Sequence, residues 1–258
     1  MKYIIATAFA ASFLLSQAAA ARDVTMATEA SFPPFSQTEA DGSYTGFEID
    51  LGNAVCEHLE WNCTWVKQDF DGAIAALLAN KFDIIFSSMS IKPERAEVAD
   101  FSLAYYATPT AFFGAEDAGL LPPSNLDGMV VGVYGGSTQQ SYAEENFEGI
   151  SIRQYENIDQ MGADLKNGRI DLMFVEQLAG LVWTSSDEGD GYGMVGDYIG
   201  LEEFGEQGAG AMFRQDDDDL REEVNRALRA LYEDGTFDEI QAKWLPEGTN
   251  IRADQFWD

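Results

Sequence analysis

The sequence predicts an α/β protein built from two similar halves. Three observations carry that prediction. Short apolar runs of strand length alternate with segments whose apolar residues recur at helical spacing. A β-α-β-α-β order occurs twice, which favours a parallel sheet covered by helices. The residues that follow the strand runs are hydroxylic, glycine-rich or charged, as expected where the end of an α/β strand meets a ligand.

In the first half, residues 24–28 form a strand, Phe32-Pro33-Pro34-Phe35 breaks it, and Gly42-Ser43-Tyr44 marks a turn. Residues 47–59 have helical spacing, with Ile49, Val55 and Leu59 on or near one face. A strand at 63–66, a helix at 70–79 with Ile74, Leu77 and Leu78 apolar, and a buried strand at 84–86 complete the unit. The second half repeats the order: strand 129–133, helix 140–146, strand 152–155, helix 161–166, and an apolar strand 170–175 ending at Glu176. The tail returns to helix over 219–232, with Leu220, Val224, Ala227, Leu228 and Leu231 in register, and Gly235 as its C-terminal cap. A further helix runs over 237–244. Residues 104–110 and the glycine-rich 205–210 are the candidate crossovers between the halves. Two lobes joined in this way enclose a cleft, a common place for a ligand.

Two segments carry chemistry. Ser87-Ser88-Met89-Ser90-Ile91-Lys92-Pro93-Glu94-Arg95 follows the buried strand at 84–86. A guanidinium presents a planar fork of donors that matches a carboxylate or phosphate in two-point geometry, and serine hydroxyls can complete such a site. The plain alternative is that Pro93 and Arg95 merely open a surface helix. Gly135-Gly136-Ser137-Thr138, between a strand and a helix, suits anion binding by backbone N–H groups. Here the alternative is a glycine turn with Ser137 or Thr138 as helix N-cap. That segment carries neither G-x-G-x-x-G nor a GK[ST] loop, so no nucleotide fingerprint is read there.

Residues 1–21 carry Lys2, an apolar core from Tyr3 to Leu15 and four alanines at 18–21, the layout of a secretory signal with a small-residue cleavage site. The apolar run is shorter than the roughly 20 residues that span a bilayer. No Cys follows the alanines to carry a lipid, and no later stretch is long and apolar enough to span. A soluble, exported chain from Arg22 is expected. The whole sequence has 15 basic and 45 acidic side chains, a net charge of −30; removal of the leader, with its one lysine and no acid, makes it −31. Such a surface repels nucleic acid and anionic membranes and suits high ionic strength. Asp216-Asp217-Asp218-Asp219 reads as a helix N-terminus, where negative charge is favourable, rather than as a calcium site.

Cys56 and Cys63 are the two cysteines. In an oxidising compartment a disulfide is the natural reading, with two free thiols as the alternative. The single histidine, His58, lies between them with no further Cys or His to complete a zinc set. No metal or cofactor is expected, and most thiol, zinc and Ser-His-Asp chemistry is excluded. His58 reads as an exposed helix residue without a catalytic role.

Taken in order, several of these segments resemble one family over nearly the whole mature chain. They are Gly46-Phe47-Glu48-Ile49-Asp50-Leu51, the Cys56/Cys63 pair with Thr64-Trp65-Val66, Asp69-Phe70-Asp71, residues 87–95, residues 132–138, and residues 231–238 running to Lys243-Trp244. The family is the periplasmic amino-acid-binding proteins of ABC importers, in particular the branch that binds lysine, arginine, ornithine, histidine and opines. The resemblance implies a two-lobed, type II (venus-flytrap) periplasmic-binding fold with two crossover strands. It implies a leader at 1–21, a first lobe of residues 22–107 and 205–258, and a second lobe of residues 108–204.

The resemblance assigns Arg95 to a ligand α-carboxylate, with Ser90 and the backbone at Ser88 and Thr138 assisting. It assigns the α-ammonium to Glu176 with help from Ser88, at a position where the family often has Asp. Phe32 and Phe70 match an aromatic pair that sandwiches the ligand side chain, and Glu29 matches the acid that meets a cationic side chain. Ser87, Tyr134 and Ser137 complete the implied binding set, and Cys56 with Cys63 matches a disulfide of that branch. The implied protein is a periplasmic monomer that delivers a basic amino acid or an opine to a membrane permease and is not an enzyme. The alternatives are a binder of polar neutral amino acids, a partner-bound sensor, or a dehydratase of the cyclohexadienyl type, since one fold hosts several functions.

Overall fold

The computed structural model describes residues 21–116, 119, 122–124 and 126–257. The expected leader, apart from Ala21, lies outside the described residues. The chain forms two lobes, each built on a five-stranded mixed sheet.

The first sheet begins with β1 (Asp23–Thr28), followed by a small three-stranded sheet of β2 (Ser31–Phe32), β3 (Ser36–Thr38) and β4 (Tyr44–Thr45). Helix α1 (Phe47–His58) leads to β5 (Asn62–Lys67), and α2 (Ala73–Leu78) leads to β6 (Ile84–Ile85). The expected helix at 70–79 is thus shorter, because Phe70–Gly72 forms a separate 3₁₀ turn. The four-residue α3 (Pro93–Ala96) follows, then β7 (Asp100–Tyr106). The second sheet takes β8 (Thr110–Ala115), β9 (Val130–Tyr134), α4 (Thr138–Asn146), β10 (Ser151–Tyr155), α5 (Ile158–Lys166), β11 (Leu172–Glu176), α6 (Gln177–Thr184) and β12 (Tyr192–Ile199). The short α7 (Leu201–Phe204) precedes β13 (Ala209–Phe213), which returns to the first sheet, and α8 (Asp218–Glu233) and α9 (Thr236–Trp244) close the chain.

The two sheets have the same plan. Their strand orders are β5-β1-β6-β13-β7 and β10-β9-β11-β8-β12. In each, three parallel strands come from the β-α-β-α-β unit and two antiparallel strands complete the edge. The chain passes between sheets twice, and the crossovers are shorter than the sequence suggests. Tyr106 still belongs to β7 and Thr110 already to β8, while Ala209 and Gly210 belong to β13.

The central strands are buried on both faces, so they read as continuous apolar runs: Leu172, Met173, Phe174 and Val175 of β11 are at most 1% exposed. Helices α1 and α8 instead bury one face. Asp217 is the N-cap of α8, and its first turn carries Asp218 and Asp219, where the helix dipole favours negative charge. A disulfide joins Cys56 near the end of α1 to Cys63 in β5. Among the described residues, no helix is long and apolar enough to cross a membrane.

Candidate functional site

The site follows from the shared sheet plan. In a doubly wound sheet, ligands bind beyond the carboxyl ends of the parallel strands, where the crossovers diverge. Glu29 immediately follows β1, Ser87 and Ser88 lie just past β6, Tyr134 is the last residue of β9, and Glu176 is the last of β11. The two lobes turn these ends toward one another around a cavity lined by Glu29, Phe32, Phe70, Ser88, Ser90, Tyr134, Ser137, Thr138, Gln139 and Glu176. Nine of the eleven expected binding residues are therefore brought together.

The other two stand one step back. Ser87 accepts the Glu29 N–H through Oγ at 3.0 Å and so fixes the backbone of the acid. Arg95 donates from Nη1 to the Ser90 carbonyl at 3.1 Å and from Nη2 to the Gly136 carbonyl at 3.0 Å. Its guanidinium carbon lies 5.6 Å from the Phe70 ring centre. The Gly136 contact reaches from the first lobe to the second. In the Arg95 segment Pro93 opens α3, the plainer of the two expectations, while the Arg95 side chain turns back to the Ser90 carbonyl. The second segment likewise serves its plainer role: Ser137 caps α4, accepting the Gln140 N–H at 3.1 Å while donating to the Tyr134 carbonyl at 2.7 Å.

Aromatic walls come from both lobes. Tyr134 meets Phe32 edge-on at 5.2 Å, and Phe32 stacks on Phe35 at the same distance. The hydroxyls of Ser88 and Tyr134 are buried without a hydrogen-bond partner. Buried polar groups are ordinarily paired, and both of these residues line the cavity.

Electrostatics distinguish the site most sharply. Glu29 is 6% exposed, and burial with help from nearby Glu48 pushes its carboxyl up to about 8. Glu176 is pushed up to about 8 chiefly by burial, with Glu206 and Glu48 adding repulsion. The hydrogen-bond partners of both carboxylates are neutral hydroxyls: Ser31 at 3.4 Å for Glu29, and Tyr106 at 3.0 Å and Thr108 at 3.1 Å for Glu176. Two acids hydrogen-bonded only to hydroxyls thus face one cavity, with Lys67 opposing the rise at Glu29 only in part, and each favours a guest that brings positive charge.

Three contributors escaped sequence reasoning. Gln139 lines the cavity and donates to Thr110 Oγ1 at 2.9 Å; its place directly after Thr138 was the available signal. Glu48, fully buried, accepts the Ser88 N–H at 2.5 Å and the Tyr105 hydroxyl. That contact holds Ser88 at φ 50°, a left-handed conformation unfavourable for a residue with a side chain. Gly46, at φ 134°, lets α1 start there, since a Cβ would lie 2.2 Å from the Phe35 carbonyl oxygen. Glu206 is the third, on the return from β12 to β13.

Comparisons with known proteins identify the family. A family model described as bacterial extracellular solute-binding proteins, family 3, matches residues 24–247. An L-arginine-binding protein of Pseudomonas aeruginosa is 37% identical over 88% of this chain and 89% of its own length. The lysine/arginine/ornithine-binding periplasmic protein of Escherichia coli is 35% identical over 89% of this chain and 90% of its own. Among solved structures, a Salmonella typhimurium periplasmic binding protein described for its high arginine specificity superposes with a TM-score of 0.82 at 28% identity, covering 88% of this chain and 100% of that one.

Proposed function

The chain belongs to the bacterial extracellular solute-binding proteins of family 3, and from that premise we propose that it captures a basic amino acid and presents it to the permease of an ABC importer. The observation that carries the reading is the charge pattern of one cavity: two acids, Glu29 and Glu176, hydrogen-bonded only to hydroxyls, with the Arg95 guanidinium one step back behind Ser90. A basic amino acid brings the complementary set of an α-carboxylate, an α-ammonium and a side-chain cation. An opine adds a second carboxylate to a cavity already rich in acid, and a polar neutral amino acid leaves one buried Glu uncompensated. Arginine, lysine and ornithine therefore fit best, in keeping with what the similar proteins are named for.

In this reading, Arg95, Ser90 and Thr138 take the α-carboxylate, Glu176 and Ser88 the α-ammonium, and Glu29 the side-chain cation between Phe32 and Phe70. Ser87, Tyr134 and Ser137 support the walls. Neither lobe alone satisfies the ligand, so the ligand stabilises closure through contacts made only when both lobes meet it. The proposal takes residues 22–107 with 205–258 as one lobe and 108–204 as the other. Residues 1–21 are a secretory signal, and the mature chain works as a periplasmic monomer. It is a carrier rather than an enzyme. A dehydratase needs a cleft acid free for proton transfer, whereas Glu176 is restrained by two hydroxyls and reserved here for an ammonium.

A thermal-shift panel of the common amino acids and opines tests the reading. At about 100-fold excess over Kd a ligand adds about 2.7 kcal/mol to the folding stability. Arginine, lysine and ornithine should raise Tm, and Arg95→Ala should weaken the best of them by roughly 30-fold or more, because it leaves a ligand carboxylate buried and unpaired. A flat response to all three basic amino acids overturns the proposal.

A further inference from the structure

The carboxylate grip proposed above already faces a carboxylate of the chain itself. Glu206 follows α7 and the left-handed Gly205, and its N–H is held by the Leu201 carbonyl at 3.0 Å. Two residues later the backbone is stitched to the Ser90 segment. Ile91 N–H donates to the Gly208 carbonyl at 2.8 Å, Gly210 N–H donates to the Met89 carbonyl at 3.0 Å, and Ser90 bridges Ala209 antiparallel. That stitching holds the backbone just after Glu206 against the Ser90 segment. Its Oε1 is buried without a hydrogen-bond partner. Burial pushes its carboxyl up, while the hydroxyls of Thr138 and Ser90 and the cations Lys92 and Arg95 oppose the rise. From the other side, Glu206 is the first charge that favours protonated Arg95.

We infer that Glu206 is a resident competitor: it engages the Arg95–Ser90–Thr138 grip that the ligand's α-carboxylate must take over, and so sets the affinity. The inference rests on the reading of the site as an amino-acid clamp. It has a sign that ordinary electrostatics would not produce. In an acidic protein, removing one more acid near a cationic ligand should weaken binding. Removing a competitor for the ligand's carboxylate should strengthen it.

The test is calorimetric titration of the full mature chain with arginine and with argininamide, which keeps both cations but lacks the carboxylate. Glu206→Gln, close in size to the native residue, should lower the Kd for arginine at least about fivefold, the low end of ordinary coupling between two sites. Argininamide should gain nothing. Glu206→Ala should change arginine affinity in the same direction, and Glu203→Gln, which removes an exposed acid on α7, should leave it unchanged. If the wild type binds arginine and Glu206→Gln binds it equally or more weakly, the competitor is refuted while the amino-acid reading stands. An equal gain for argininamide refutes it as well. A wild type that binds neither compound overturns the clamp and the competitor together.

Discussion

A carboxyl buried among neutral hydroxyls resists ionisation, and the cavity holds two. Glu29 and Glu176 each lie at about 8 against an ordinary 4.5. A cationic guest requires the charged form, so below pH 8 each acid must release its proton as the guest binds. Arginine affinity should therefore rise between pH 6 and 8, by up to about tenfold per pH unit for each acid, and level off above. Titration in buffers of different ionisation enthalpy should detect the released protons. Glu29→Gln should weaken arginine binding by roughly 30-fold or more and reduce that release. An affinity independent of pH over this range would contradict the assignment. Stability without ligand runs the other way. Folded-state values above 4.5 mean that the folded chain holds more protons than the unfolded one between about pH 4.5 and 8, so these acids make stability fall as pH rises through that window.

The elements show what a sequence makes legible. Helices α1 and α8 and strand β11 were readable because burial imposes a period on a helix and a continuous run on a strand enclosed on both faces. The lining of the candidate site was readable where chemistry-bearing residues sit at strand ends, as Glu29, Ser88 and Glu176 do. It was not readable where a role depends on distant pairing. Glu48 acts on Ser88, 40 positions away, and the backbone three residues after Glu206 meets the Ser90 segment through the Ser90–Ala209 bridge. The 3₁₀ turn at Phe70 was hidden too, because its apolar spacing continues smoothly into α2. The disulfide was legible from compartment and spacing, and its contribution belongs to this scale. It closes a short loop between α1 and β5, with the cysteines seven apart, for which chain entropy suggests about 2.5 kcal/mol. Replacing both cysteines by serine should lower urea-unfolding stability by about that amount. Arginine affinity should stay within about twofold, as expected for a site that shares no partner with the loop. A large loss of affinity at unchanged stability would show instead that the loop shapes the site.

For the whole molecule, the dominant property is its charge. With 45 acids and 15 bases, the surface repels itself in dilute buffer, and short-range pairs such as Lys243–Asp50 and Arg252–Asp238 involve few of those acids. Salt shortens the screening length from about 10 Å at 0.1 M to about 3 Å at 1 M. Self-repulsion between separated acids should fade over that range, so the unfolding midpoint should rise from dilute buffer to molar NaCl. The same field gathers cations at the cleft and speeds their encounter with it. Stopped-flow measurement of arginine binding should therefore show an association rate that falls with salt while thermal stability climbs. The two trends have opposite signs because one charge distribution opposes the compact chain and attracts its guest. A protein destabilised by molar NaCl, or an association rate indifferent to it, would mean that the acids are already neutralised locally and that the net charge governs neither property.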